Sequence, residues 1–208
     1  MANESKSYLL KAWSEMACFS DLLKKPDQYS YPIIPPTAID GFLKSIFYKQ
    51  EFYYKIEKVF MLNRPEYCQF TVNYVKGTFS NVFDSSDKKR SFSTDICVIN
   101  FLINPQYIFK FKLIMNDEKA DSNDNIVKLQ NMIERTLLKG RSFSTPYFGM
   151  RENVAYYELY EEEENKIKTC NYNDVLVLPL KRNCTKNNKY IEYEKIKAKI
   201  INGVMELN

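Results

Sequence analysis

The chain has 208 residues, 45% of them apolar and 27% charged, with a net charge of +4, which places it among ordinary globular proteins with room for one large domain, or one domain and a small appendix. It has no histidine, which excludes Ser-His-Asp and Cys-His triads, histidine-ligated metals and the paired-histidine route of RNA cleavage. Cys18, Cys68, Cys97, Cys170 and Cys184 are far apart and odd in number, which argues against a disulfide framework or a zinc site, and the lack of a membrane-length apolar run or a signal-like start predicts a cytoplasmic protein.

The first strand is expected over Tyr8 to Phe19, followed by KKPDQYSYPIIPP, whose prolines forbid a continuous helix. A helix should open next, with Thr37 as N-cap and Asp40 as its capping-box partner, and with Ile39, Phe42, Leu43, Ile46 and Phe47 recurring at helical spacing. Gly41 interrupts that helix at a cost of about 1 kcal/mol relative to alanine, which points to close approach there of a strand or an RNA backbone, a strand being the commoner partner. A second strand, about Glu51 to Leu62, leads into two further strands around a polar tip at Asp84 to Arg90, which read together as a long projecting hairpin with a basic end.

In YIFKFKLIM, Tyr107, Phe109, Phe111, Leu113 and Met115 face one way and Lys110 and Lys112 the other, the pattern of a central strand with one buried face. A second helix is expected over Asn125 to Lys139, with Ile126, Leu129, Ile133 and Leu137 on one face and Gly140 at its end, and VAYYELY is another strand. With the hairpin of about 64–100 treated as an insertion, residues 1–164 give the order of an α+β, ferredoxin-like (split βαβ, RRM-like) domain. Residues 165–208 give the short strands DVLVLPL, KYIEYEKIKAKII and VMEL, with a type I′ turn signal at Asn202-Gly203, and read as a small C-terminal β extension.

Charge is clustered. Lys88, Lys89 and Arg90 form one basic group, a second runs from Lys181 through Lys199, and Glu158 with Glu161 to Glu164 forms an acidic patch; solvated faces account for most such runs. In GRSFSTPYFGMRE, residues 140 to 152, Gly140 suits a helix C-cap and Gly149 permits a backbone or ligand to come close. Arg141 and Arg151, with Tyr147 and Phe148 between them, supply the charge and flat π faces that grip a nucleic-acid strand. The competing reading is a buried connection with Arg151 paired to Glu152 or to a sheet carboxylate.

YSYPIIPPTAIDGFLKSIFYKQ, with AWSEMACF before it and KGRSFSTPYFGMRE after the second helix, resembles the CRISPR-associated Cas-five family, and within it the subtype I-C (Dvulg) branch, over roughly residues 7 to 160. The resemblance implies a subunit of a Cascade surveillance complex whose ferredoxin-like domain and hairpin thumb hold the 5′ repeat-derived handle of CRISPR RNA, beside backbone and large subunits, with no cofactor, metal or membrane. It implies Arg141 and Arg151 as phosphate contacts, Tyr147 or Phe148 as packing or stacking groups, and Tyr31, Gly41 and Gly149 along the handle cleft. Lys76, Lys88, Lys89 and Arg90 of the hairpin from Tyr67 to Val98 would lie near RNA or a neighbouring backbone subunit.

Members of that branch also process precursor CRISPR RNA by metal-independent attack of a 2′-hydroxyl that leaves a cyclic phosphate, chemistry that needs a proton acceptor, a cation and a donor for the leaving oxygen. The branch pattern, a tyrosine at the end of the first helix and a lysine-histidine pair at the start of the second, falls here on Phe47, Leu129 and Gln130, none of which transfers a proton at neutral pH. A shift of one residue brings Tyr48 and Lys128 into the first two roles, but no shift supplies a histidine. As plain residues, Tyr48 is a helix-end aromatic and Lys128 a solvated cation. The sequence therefore favours a handle-binding subunit served by a separate ribonuclease over a processing endoribonuclease, with a scaffold that binds no nucleic acid as a third reading.

Overall fold

Runs of alternating apolar residues set up the strands, and two apolar stripes of helical period set up the helices. The computed structural model describes residues 3–21, 27–75, 94–120, 125–184 and 191–207. In chain order these form β1 (Tyr8–Ser14), β2 (Met16–Ala17), β3 (Gln28–Tyr29), α1 (Pro36–Ile46), β4 (Phe52–Met61), β5 (Tyr67–Val75), β6 (Thr94–Ile103) and β7 (Gln106–Met115). They continue with α2 (Ile126–Leu138), β8 (Ala155–Leu159), β9 (Asp174–Cys184), β10 (Ile191–Ile201) and β11 (Val204–Glu206). Among the described residues no helix is long and apolar enough to cross a membrane.

A seven-stranded antiparallel sheet runs β8-β1-β7-β4-β11-β10-β9. Its helix-facing side carries Leu10 and Ala12 of β1 and Tyr107, Phe109, Phe111 and Leu113 of β7, all buried. Ile39, Phe42, Leu43 and Ile46 of α1 and Ile126, Leu129, Ile133 and Leu137 of α2 close the same core. Burying such stripes is the main source of stability here, at roughly 1.5–3 kcal/mol for each large apolar side chain. In a second sheet β6 is flanked by β2 and β3, and β5 also pairs with β6, so the described part of the long hairpin is a ladder from Tyr67 opposite Leu102 to Val75 opposite Thr94.

Two local expectations are corrected. The first strand breaks after Ser14, whose Oγ lies 2.7 Å from the carbonyl oxygens of both Met16 and Val154, and there the chain leaves one sheet for the other. The capping box at Thr37 does not form. α1 starts earlier, with Pro35 as N-cap and Pro36 in the first turn, because a proline ring presets the helical φ and has no N–H to satisfy. Asp40 instead pairs with Lys44 one turn on, at 2.6 Å.

The C-terminal strands continue the large sheet, since β11 lies along β4 with Val204 opposite Phe60 and Met205 opposite Val59. The tight turn before it has φ of 49° at Asn202 and 74° at Gly203, as the Asn-Gly pair predicts. Between β8 and β9 the chain crosses the open face of the sheet, where the N–H of Tyr160 donates to Leu9 and that of Cys170 to Met61, each at 2.9 Å. Glu164 of the acidic patch anchors this crossing through Lys110 at 2.6 Å and Lys58 at 3.1 Å. The Lys110 hydrogen bond is the main reason its carboxyl sits below the usual range.

Candidate nucleic-acid interface

The loop after α2 is fixed by backbone hydrogen bonds before any side chain is considered. α2 ends in a Schellman turn: Gly140, at φ 58°, donates its N–H to Leu137 and Arg141 donates to Thr136, both at 3.1 Å. The chain then reaches the end of α1, where the N–H groups of Phe143 and Ser144 donate to the carbonyls of Ile46 (3.1 Å) and Ser45 (2.9 Å) and satisfy two of that helix's last acceptors. The Tyr157 hydroxyl, whose pKa burial raises above the ordinary tyrosine value, donates to the Arg141 carbonyl at 2.6 Å. On this pinned backbone every side chain from Arg141 to Thr145 is exposed, and the Phe143 ring is 80% exposed.

From Pro146 the same loop turns inward. Phe148 is wholly buried, with the rings of Phe42, Phe19 and Tyr107 at 5.3, 5.7 and 5.8 Å. Its carbonyl accepts from the N–H of Cys18, which ties the loop to the end of β2. Gly149 has φ 81°, and a Cβ there would stand 1.9 Å from the Cys18 carbonyl oxygen, so only glycine lets the two backbones meet this closely.

Arg141 and Arg151 are exposed, and neither forms an ion pair among the described residues, so the pairing of Arg151 with Glu152 is absent. Tyr147 is 38% exposed and is the one ring of the Tyr147-Phe148 pair that faces solvent. Tyr31 is buried, with its hydroxyl 3.1 Å from a carboxylate oxygen of Asp21. Among the described residues nothing stands within 4 Å of where a Cβ on Gly41 would lie. Gly41 opens instead on a cleft of about 1140 Å³ that is also lined by Lys44, Tyr53, Lys55, Gly149 and Leu180.

Phe47 stacks on Phe52 at 5.6 Å and Leu129 is buried, whereas their neighbours Tyr48 and Lys128 are exposed. Lys76, Lys88, Lys89 and Arg90 lie outside the described residues. Among the described residues no cluster of Cys, Asp or Glu is arranged to hold a metal ion. Phe143, two residues past an arginine and three past a helix-ending glycine, is a further candidate that the tertiary structure marks out by its exposure.

The chain belongs to the Cas-five family: the family described as CRISPR-associated protein (Cas_Cas5) matches residues 7–187. It is similar to the CRISPR pre-crRNA endoribonuclease Cas5d of Mannheimia succiniciproducens, with 26% identity over 174 residues, covering 79% of this chain and 76% of that protein. It is also similar to the protein of the same name from Thermus thermophilus, with 29% identity over 149 residues, covering 71% of this chain but only 62% of that protein. The Cas5d relatives are consistent with the subtype I-C branch. Among solved structures, a CRISPR-associated protein superposes with a TM-score of 0.73 at 18% identity, covering 99% of this chain and 93% of the other. A chain from a CRISPR RNA-guided surveillance complex gives 0.52 at 11% identity, with 94% and 91% covered. At such identities the superpositions speak to fold alone.

Proposed function

We propose that this chain is a Cascade subunit that binds the 5′ repeat-derived handle of CRISPR RNA and holds it against the end of α1. The observation that carries the reading is the pinned loop, which spends four backbone hydrogen bonds on holding Arg141 and Phe143 outward next to the helix end. A cation without a carboxylate partner beside an exposed ring is a combination that grips phosphate and stacks on an unpaired base. Tyr147 and Arg151, also exposed, add a second ring and a second cation to the same loop, and Gly41 and Gly149 line a cleft beside α1.

The scaffold in this reading is a ferredoxin-like split βαβ domain: β1, α1, β4, β7, α2 and β8 in chain order, with the neighbouring strands ordered β8-β1-β7-β4, support it. The β5–β6 ladder is then the base of the thumb, and the partners are CRISPR RNA and the other Cascade subunits, as the name of the surveillance-complex neighbour supports.

A second reading, that of a metal-independent endoribonuclease, is favoured by the names of both curated relatives and by the exposure of Tyr48 and Lys128 beside the half-buried Phe47 and the buried Leu129. The absence of histidine leaves that mechanism without its third group. One experiment separates the two: incubation of the protein with its repeat RNA in EDTA, scored for binding and for a single cut ending in a cyclic phosphate. Tight binding without a cut is expected. A cut that Tyr48→Phe or Lys128→Ala abolishes would replace the binding reading with the enzymatic one, and no binding at all would remove both.

A further inference from the structure

The open face of the seven-stranded sheet carries lysines in two settings. Over its centre, Lys11, Lys58, Lys110 and Lys112 each meet a carboxylate, from Glu158, Glu164, Glu206 or Glu57, at 2.6 to 3.1 Å. Farther out, past the register shift after Glu194, β10 sets Lys195, Lys197 and Lys199 at alternate positions opposite Pro179, Val177 and Val175 of β9. The register Ile201–Val204–Phe60 puts this row on the same face as Lys58. All three lysines are exposed and form no ion pair among the described residues. Around them stand Val175, Val177 and Ile201, each about half exposed, while Glu206 on β11 is turned to Lys58.

A strand advances about 6.7 Å per two residues, so these ammonium groups form a regular line of like charges with no acid between them. Such a line is self-repelling, and a linear polyanion laid along it removes the repulsion and releases counterions. A protein partner is the weaker match, because the cores of protein interfaces are depleted in lysine. We infer that the Lys195-Lys197-Lys199 row is a second RNA-binding surface, which tracks the phosphates of a single-stranded part of the guide RNA while Val175, Val177 and Ile201 form an apolar floor beneath sugars and base edges. This rests on the RNA-binding reading above and gives the C-terminal hairpin a role in it.

The test is the salt dependence of repeat-RNA binding by the K195Q/K197Q/K199Q variant. With roughly 0.7 of slope per phosphate contact on a single strand, the plot of log K against log salt should become shallower by about 2, with affinity at low salt down at least about tenfold and the melting temperature unchanged. The triple Lys→Arg variant should keep the wild-type slope. If the glutamine variant fails to fold, K197Q alone decides, with an expected slope change of about 0.7. An unchanged slope makes the row a solvated face and overturns the inference, as does loss of a protein subunit from the assembled complex with RNA binding intact. RNA binding that is lost on changing Arg141 and Phe143 but not the row leaves the proposed function standing and removes only this surface; a wild-type protein that binds no RNA removes both.

Discussion

Residues 141–145 and 146–150 belong to one loop, yet the fold holds them by opposite means. The second half is held by what its side chains bury: Phe148 sits among three aromatic rings, and Gly149 lies against the Cys18 carbonyl. Among the described residues the first half is held only through its backbone, at Thr136, Tyr157, Ile46 and Ser45, and its side chains are exposed. A packed half needs its residues for stability. A half fixed through main-chain groups alone leaves its side chains available for a ligand at no cost to the fold, which is how a binding surface is preorganised.

The comparison predicts its largest effect at Phe148. Phe148→Ala should cost about 3–5 kcal/mol in denaturant unfolding, the usual range for emptying a filled aromatic core site. A loss below about 1 kcal/mol would mean that the inward half is not packed and would end the contrast. Gly149→Ala comes next, at about 3 kcal/mol, because a methyl group would meet a backbone carbonyl that has no rotamer with which to give way.

Much of this architecture could be read in the string. The alternation from Tyr107 to Met115, the apolar stripe from Ile126 to Leu137, the Gly140 stop and the Asn202-Gly203 turn are local signals, and each element forms where they point. What failed were choices between competing local signals. Thr37 with Asp40 fits a capping box, but the Pro35-Pro36 pair sets the helix start first. The run from Tyr8 to Phe19 has one period, but the Ser14 hydroxyl, within hydrogen-bond reach of the Met16 carbonyl and of the Val154 carbonyl 140 residues away, splits it between two sheets. The site was half legible for a related reason: Arg141, Phe148 and Gly149 stood out by type, but which ring of the loop faces water is decided by hydrogen bonds to α1 that no local pattern announces. Phe143 emerged only from the tertiary structure, and so did the contrast between paired and unpaired lysines on one sheet face.

Phe143 carries the prediction that most directly sharpens the contrast. Phe143→Ala should change stability by no more than about 0.5 kcal/mol, since the ring is already in water and the backbone bonds survive. It should weaken binding of the handle RNA by about 1–3 kcal/mol, the range for losing one base-stacking contact, in an anisotropy titration. Phe143→Trp should retain binding, because stacking asks for a π face and not for a particular residue. Arg141→Gln should instead flatten the salt dependence by about one phosphate contact, roughly 0.7 in slope. If Phe143→Ala destabilises the fold and leaves RNA binding intact, the outward half is structural after all.

The smallest effect is expected at Gly140, and it separates two costs that Gly149 combines. Both glycines have positive φ, 58° and 81°, but a Cβ at Gly140 would meet nothing within 4 Å. Gly140→Ala therefore measures the left-handed backbone penalty alone, about 1 kcal/mol, and the excess of Gly149→Ala over it measures the close approach to Cys18. The Schellman hydrogen bonds from residues 140 and 141 survive that substitution, so RNA affinity should stay near wild type while stability falls slightly. Equal costs at the two glycines would show that the Cys18 contact relaxes without penalty, and the inward half would then owe its position to Phe148 alone.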